Sequence, residues 1–161
     1  MILGMTAFTF VHVLLSLIGI GAGFVVLYGF LTTRRLPGWT LVFLLATLAT
    51  SLTGFGFPFH GFTPAIGVGI LSLLVLTPAI AGRYVFHLRG LWHRVFVIGS
   101  VVALYFNVFV LIVQAFLKIP ALHALAPTGT EPPFSVAQGL ALVGFILAGF
   151  FSVKRFHPIA A

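Results

Sequence analysis

The chain alternates between long, almost uninterrupted apolar segments and short gaps rich in proline, glycine and arginine. A helix needs about 20 apolar residues to cross the hydrocarbon core of a bilayer. Five segments are of about this length, and their central parts contain no Asp, Glu, Lys or Arg. The pattern therefore predicts an all-α integral membrane bundle with five transmembrane helices, forming a single domain over residues 1–161. The predicted spans are residues 7–31, 39–57, 65–86, 95–117 and 134–153.

Basic residues are concentrated in alternate gaps of this pattern. Seven of the eight Lys and Arg residues follow the first span, surround the turn between the third and fourth spans, or follow the fifth span, and only Lys118 falls in the other set of gaps. Cytoplasmic loops of membrane proteins carry an excess of Lys and Arg. We therefore expect the N-terminus to lie outside and the C-terminus in the cytoplasm.

The composition agrees with a membrane protein and excludes several other classes. Hydrophobic residues make up 61% of the chain and charged residues 6%, whereas an ordinary globular domain is about half apolar and roughly a quarter charged. The net charge of +7 arises because eight Lys and Arg face one acidic residue, Glu131. Because these charges are thinly spread between apolar runs, a soluble domain, a disordered tail and a nucleic-acid-binding module are all excluded.

Catalytic chemistry finds little support in the sequence. The chain has no cysteine, which excludes disulfides, thiolate metal sites and cysteine nucleophiles. A single carboxylate cannot supply an acid pair, and no Ser-His-acid set is evident. The sequence therefore favours a role other than hydrolysis.

Uncharged polar side chains within the spans form a candidate ligand-binding set. At about 1.5 Å rise per residue, His12 lies roughly 10 Å outward of the centre of its span, and Gln114 and Gln138 lie at similar heights in theirs. Asn107 lies near the midplane, seven residues before Gln114. Histidine with glutamine can hydrogen-bond a quinone-like carbonyl. The alternative is that these side chains hydrogen-bond neighbouring helices, at about 1 kcal/mol or less each.

A metal site on the outer side is a related hypothesis. His60, His123 and Glu131 lie in the predicted outer loops above His12, and imidazoles with one carboxylate suit Zn²⁺ or Cu²⁺. The spacing matches no metal motif such as H-E-x-x-H. A haem held by two histidines would need a second histidine at the depth of His12. Metal, haem and quinone thus stay open, and the sequence requires none of them.

Small residues recur at helical spacing on three spans and predict close helix packing. Such residues let the backbones of membrane helices approach each other, either within one chain or between copies in a homo-oligomer or a larger membrane complex. The predicted packing residues are Gly19, Gly23, Gly54, Ala141 and Gly144.

Three arginines near the third gap predict contact with the bilayer surface. Arg83, Arg89 and Arg94 alternate with apolar and aromatic residues. Attraction of each basic residue to anionic lipid contributes about 1 kcal/mol. We therefore expect anionic lipid as a partner here.

Two blocks of the sequence, 52–62 (LTGFGFPFHGF) and 105–134, resemble segments of small uncharacterised polytopic proteins of the bacterial inner membrane. The resemblance implies a bacterial cytoplasmic membrane. Because that group has no established activity, it implies no functional residues.

Three functions remain as hypotheses from the sequence. The first is a packing or assembly module, or a subunit of a membrane complex. The second is a periplasm-facing binding or redox site for a metal, haem or quinone. The third is a facilitator for a neutral or lipophilic small molecule.

Overall fold

The computed structural model describes residues 6–58 and 64–157. These residues form six α-helices, of which all but α5 are long and apolar enough to span a membrane. The predicted all-helical class and the five candidate spans are thereby confirmed, whereas His60 lies outside the described residues. The helices are α1 (Ala7–Leu31), α2 (Pro37–Gly54), α3 (Pro64–Tyr84), α4 (Trp92–Lys118), α5 (Pro120–Leu125) and α6 (Pro132–Arg155).

The ends of the helices differ from the predicted spans by a few residues. Helix α2 ends at Gly54, where the Phe55 N–H bonds the Leu52 carbonyl and closes the last turn. Helix α4 begins at Trp92, three residues before the predicted start, and α6 begins with two prolines that need no partner for a backbone N–H. Hydropathy locates the apolar part of a helix, but backbone hydrogen bonds decide where the helix ends.

Helix α4 contacts each of the other helices and carries much of the core. Phe96, Val97, Ala103 and Leu104 on α4 are almost completely buried. Helix α6 lies against α4 and α1, and Ser152 is its only fully buried residue. The bundle is therefore organised around α4, with α6 as its most exposed spanning helix.

Two glycines allow the closest helix contacts. A Cβ on Gly99 of α4 would lie 2.8 Å from Ala79 Cβ and 2.9 Å from the Val75 carbonyl oxygen on α3. A Cβ on Gly23 of α1 would lie 2.5 Å from Leu104 Cδ1. Glycine is therefore required for the observed distance between α3 and α4, since at Gly99 one obstacle is backbone.

The other predicted packing residues have varied surroundings. A Cβ on Gly19 would lie 3.2 Å from Thr47 Oγ1, and one on Gly54 would lie 3.8 Å from His12 Cε1. Nothing described lies within 4 Å of a Cβ placed on Gly144, and Ala141 is half-buried. Within one chain, Gly144 makes no close helix contact, so its role between copies stays a prediction.

One end of the bundle collects most of the basic side chains. This basic end, which holds Arg34, Arg83, Arg94 and Lys154, is formed by the ends of α1, α3 and α6 and the starts of α2 and α4. There the Phe30 ring packs edge-on against Phe96 at 5.5 Å and Phe156 at 5.0 Å between ring centroids. These rings hold α1, α4 and the end of α6 together.

We predict that Gly99→Ala destabilises the bundle by about 1–3 kcal/mol, the usual cost of overpacking, because the new methyl group meets the Val75 carbonyl and Ala79. Unfolding of the detergent-solubilised protein by heat or denaturing detergent measures the change. Gly144→Ala is the matched control, and it should be neutral or slightly stabilising because alanine favours helix by about 1 kcal/mol. Equal stability of the two variants would contradict the role given to Gly99.

Candidate functional site

His12 joins α1 to α2 near the end of the bundle opposite the basic end. Its Nδ1 lies 2.8 Å from Thr53 Oγ1, and the Thr53 hydroxyl donates to the Ala49 carbonyl at 2.7 Å. Because a hydroxyl has one proton to donate, the Nδ1–H of His12 is the donor to Thr53, and Nε2 keeps the lone pair. The Phe57 ring stands edge-on to the imidazole, 5.1 Å away between centroids. His12 is therefore held as an interhelical hydrogen-bond donor.

The other residues of the predicted ligand-binding set bond at different helix contacts. Asn107 Nδ2 donates to the buried Thr47 Oγ1 of α2 at 3.1 Å. Gln138 Nε2 donates to the Phe109 carbonyl of α4 at 3.2 Å, while its buried Oε1 has no partner among the described residues. Gln114 is exposed on α4. Three of these four residues thus join helices: α2 with α1 and α4, and α6 with α4. Ligand binding by the set stays a prediction.

The carboxylate of Glu131 accepts hydrogen bonds from residues of its own turn. It accepts hydrogen bonds from the Thr128 N–H at 3.0 Å, the Thr128 hydroxyl at 2.9 Å and the Thr130 N–H at 3.0 Å. The backbone N–H of Thr128 is the main cause that lowers the pKa of Glu131 from 4.5 to about 2. Glu131 is therefore ionised at neutral pH and engaged in closing the turn before α6.

The predicted metal ligands are only partly described. His123 lies exposed on α5, and His60 falls in the stretch 59–63 that is not described. Among residues 6–58 and 64–157, no group of three His, Cys, Asp or Glu side chains comes together. The metal site at His12, His60, His123 and Glu131 stays a prediction that the described geometry does not test.

A lateral groove between α4 and α6 was not anticipated from the sequence. We call it the α4–α6 groove; it has a volume of about 670 Å³, within the usual range of small-molecule sites. Residues along one face of α4 and one face of α6 form its walls. Its lining is Arg94, Ile98, Val101, Val102, Tyr105, Leu142, Phe145, Ile146, Gly149, Phe150, Val153, Lys154 and His157.

Helix α6, which forms one wall of the groove, is attached to different helices at its two ends. Far from the basic end, Gln138 bonds the Phe109 carbonyl and Phe134 packs edge-on against Phe116 of α4. At the basic end, Phe156 packs against Phe30 of α1 instead, and Arg155 Nη1 bonds the Leu31 carbonyl at 3.4 Å. Contacts with α1 thus help to hold this end of α6, beside the groove.

The groove has an apolar length and a cationic mouth. Arg94 and Tyr105 of α4 both line it and are 11 residues apart, which is about 17 Å along a helix. Arg94 and Lys154 line the groove where it reaches the basic end of the bundle, and we call this part the mouth. The Lys154 ammonium lies 5.5 Å from the centroid of the Phe150 ring in the wall. The arrangement therefore suits a molecule with a long apolar part and a polar end.

The three arginines predicted to meet anionic lipid have different positions. Only Arg94 lines the groove. The guanidinium carbon of Arg83 lies 5.3 Å from the centroid of the Phe96 ring, and its buried Nε has no partner among the described residues. Arg89 lies exposed in the turn between α3 and α4. The sequence could not separate these positions, because all three arginines share the same local pattern.

Two histidines also meet at the basic end, which the sequence did not indicate. The rings of His93 and His157 lie 6.2 Å apart between centroids. The Nδ1–H of each donates to a backbone carbonyl, that of Gly90 at 2.8 Å and that of Arg155 at 3.2 Å. This pair borders the groove mouth through His157.

The fold defines an all-helical protein whose five long, apolar helices are consistent with a multi-pass membrane protein. Comparisons with protein-family models, with curated protein sequences and with solved structures found no match.

We predict that the carboxyl group of Glu131 titrates near pH 2 rather than at its ordinary 4.5. The lowered pKa means that its ionisation stabilises the turn fully above about pH 4.5, and that this stabilisation is lost as the pH falls toward 2. Carbon-13 NMR of the labelled side chain in detergent measures the midpoint. Thr128→Val should raise the midpoint only partly, because it removes the hydroxyl and keeps both backbone donors. A wild-type midpoint near 4.5 would contradict the turn geometry.

Proposed function

We propose that this is a multi-pass protein of a bacterial cytoplasmic membrane that binds a lipophilic molecule in the α4–α6 groove. The groove itself is the observation that carries the proposal: it is long, almost wholly apolar and formed between two candidate membrane spans. Of the three functions that the sequence left open, the one that handles a lipophilic molecule agrees best with this geometry.

The dimensions of the groove support a ligand from the bilayer. Its length of about 17 Å along α4 is close to half of the roughly 30 Å hydrocarbon core. Under the positive-inside rule, the basic end faces the cytoplasm, so the groove would open within the inner leaflet. A molecule lying in that leaflet could enter from the side without crossing water.

The position of Gly149 offers a direct way to test binding. Gly149 lines the groove, and a Cβ there would lie 3.5 Å from Val101 Cγ1, an ordinary contact. A leucine at this position would place its side chain in the groove. On the same helix, Gly144 does not line the groove and has open space around it, which makes it a matched control.

We predict that Gly149→Leu reduces occupancy of the groove at least tenfold, because the side chain takes the space of the ligand. The probe is a phosphatidylcholine with a photoactivatable acyl chain, reconstituted with the protein in vesicles. Cross-linking to the α4 and α6 segments that line the groove should reach a plateau at a low fraction of probe, because a defined site fills. Labelling by general lipid contact would instead rise in proportion to the amount of probe. Gly144→Leu should keep the saturable component.

Two outcomes would contradict this proposal. One is labelling of α4 and α6 that rises linearly with probe in the wild-type protein. The other is a saturable component that Gly149→Leu leaves unchanged while the variant remains folded, as judged by its unfolding midpoint.

Assembly through α6 is a second candidate function, and one observation favours it. Helix α6 has a single fully buried residue, Ser152, and Gly139 and Gly144 have open space at their Cβ positions. Small residues on an exposed face allow close approach by a helix of another copy or of a larger complex. Within residues 6–58 and 64–157, no group of three His, Cys, Asp or Glu side chains comes together to support the metal alternative.

If α6 mediates assembly, Gly144→Leu should lower the fraction of oligomer several-fold, because the added side chain separates the two backbones. Cross-linking in vesicles at varied protein-to-lipid ratios measures this fraction. Gly21→Leu on α1, where a Cβ also meets nothing within 4 Å, is the control. A monomer at every ratio, or an equal loss in both variants, would contradict assembly through α6.

A further inference from the structure

Two basic side chains stand at the mouth of the α4–α6 groove. Arg94 enters from the first turn of α4, and Lys154 from the last turn of α6. The two side chains come from different helices, yet both line the same cavity. Each of the two walls therefore contributes one basic group to the groove at this end.

These two cations have no side-chain carboxylate nearby. Glu131 is the only acidic residue in the chain, and it precedes α6, whereas Lys154 lies near the other end of that helix. They are 23 residues apart, which corresponds to about 35 Å along a helix, several times the screening length of about 10 Å in ordinary salt. The carboxylate of Glu131 also accepts three hydrogen bonds in its own turn. The charge at the mouth is therefore uncompensated by acidic side chains.

The uncompensated positive charge at the mouth disfavours a second copy of the chain as the occupant of the groove. Two copies inserted in the same direction would bring their basic ends together, so like charges would meet at the mouth. An anionic group at the end of an apolar chain is complementary to the groove along its whole length. The apolar wall from Ile98 to Tyr105 would receive the chain, and Arg94 and Lys154 would receive the anion.

Resting on the proposed function, we infer that the α4–α6 groove is a site for an anionic phospholipid of the surrounding leaflet. Its phosphate lies between Arg94 and Lys154, and one acyl chain runs along α4 toward Tyr105 and Phe145. The guanidinium group can form two parallel hydrogen bonds to phosphate oxygens, while the ammonium acts as a point charge. The Phe150 ring, 5.5 Å from the Lys154 ammonium, holds that charge over the groove.

Not every arginine at the basic end takes part in this site. Arg83 packs on the Phe96 ring, and Arg89 lies in the turn after α3; neither lines the groove. The inference therefore separates a defined lipid site from general attraction of a basic surface to an anionic membrane. Arg89→Gln removes one charge from the same end without touching the groove and is the matched control.

The test compares dioleoyl-phosphatidylglycerol with dioleoyl-phosphatidylcholine, which share acyl chains and differ in net charge. Delipidated protein in mild detergent is titrated with each lipid, and native mass spectrometry gives the apparent Kd for the first bound lipid. Since a basic residue near the surface contributes about fivefold, two cations should make the anionic lipid about 25-fold tighter. Arg94→Gln and Lys154→Gln should each reduce this preference about fivefold, and Arg89→Gln should retain it.

Failure of the inference and failure of the proposed function give different results. Equal affinity for the two lipids, with Gly149→Leu abolishing both, would overturn the anionic site and leave the lipophilic groove standing. Weak, unsaturated binding of both lipids that Gly149→Leu does not change would overturn both the anionic site and the lipophilic groove.

The charge variants test where the headgroup lies. A preference for the anionic lipid that survives in the Arg94→Gln, Lys154→Gln double variant, or that falls equally in Arg89→Gln, would place the headgroup elsewhere and overturn the site. Because Arg94→Lys keeps the charge, its recovery of the preference distinguishes lost charge from misfolding.

Discussion

The close packing of α4 against its neighbours is the interaction on which the rest of the structure depends. Gly99 lets α4 approach the Val75 carbonyl and Ala79 of α3, and Leu104 fills the space that Gly23 leaves on α1. In hydrocarbon, where we propose that these helices lie, burying an apolar side chain brings no hydrophobic gain, so helix association would rely on van der Waals contact and on interhelical hydrogen bonds. Such contact falls off steeply with distance, which is why glycine at the closest approaches matters more than the number of apolar residues.

Polar side chains supply the second contribution to this packing. Thr53 accepts from His12, Thr47 accepts from Asn107, and the Phe109 carbonyl accepts from Gln138. Each bond joins two helices, and each satisfies a group that would be costly to leave unpaired in lipid. The Oε1 of Gln138 is one of several buried side-chain atoms that have no partner among the described residues.

The proposed function depends on α6, the most exposed of the candidate spanning helices, because it forms one wall of the groove. Helix α6 bonds α4 near one end and α1 near the other, and the α4–α6 groove lies along it. The groove is apolar along its walls and basic at its mouth. Under the proposed function, the ligand would enter this space from the side of the bundle, between α4 and α6.

The sequence by itself determined the helical class and the five candidate spans, because hydrophobic length and scarcity of charge are local properties that require no partner. It also indicated His12, Asn107, Gln114 and Gln138 as candidate ligand-binding residues, since each interrupts an apolar run, and ligand binding by them stays a prediction. It could not distinguish Gly99, which meets the α3 backbone, from Gly144, which has open space, because both are glycines within apolar helices. Only the tertiary structure decided these contacts, the separate partners of the polar residues and the meeting of Arg94 with Lys154 at one groove, since each depends on how helices distant in sequence pack together.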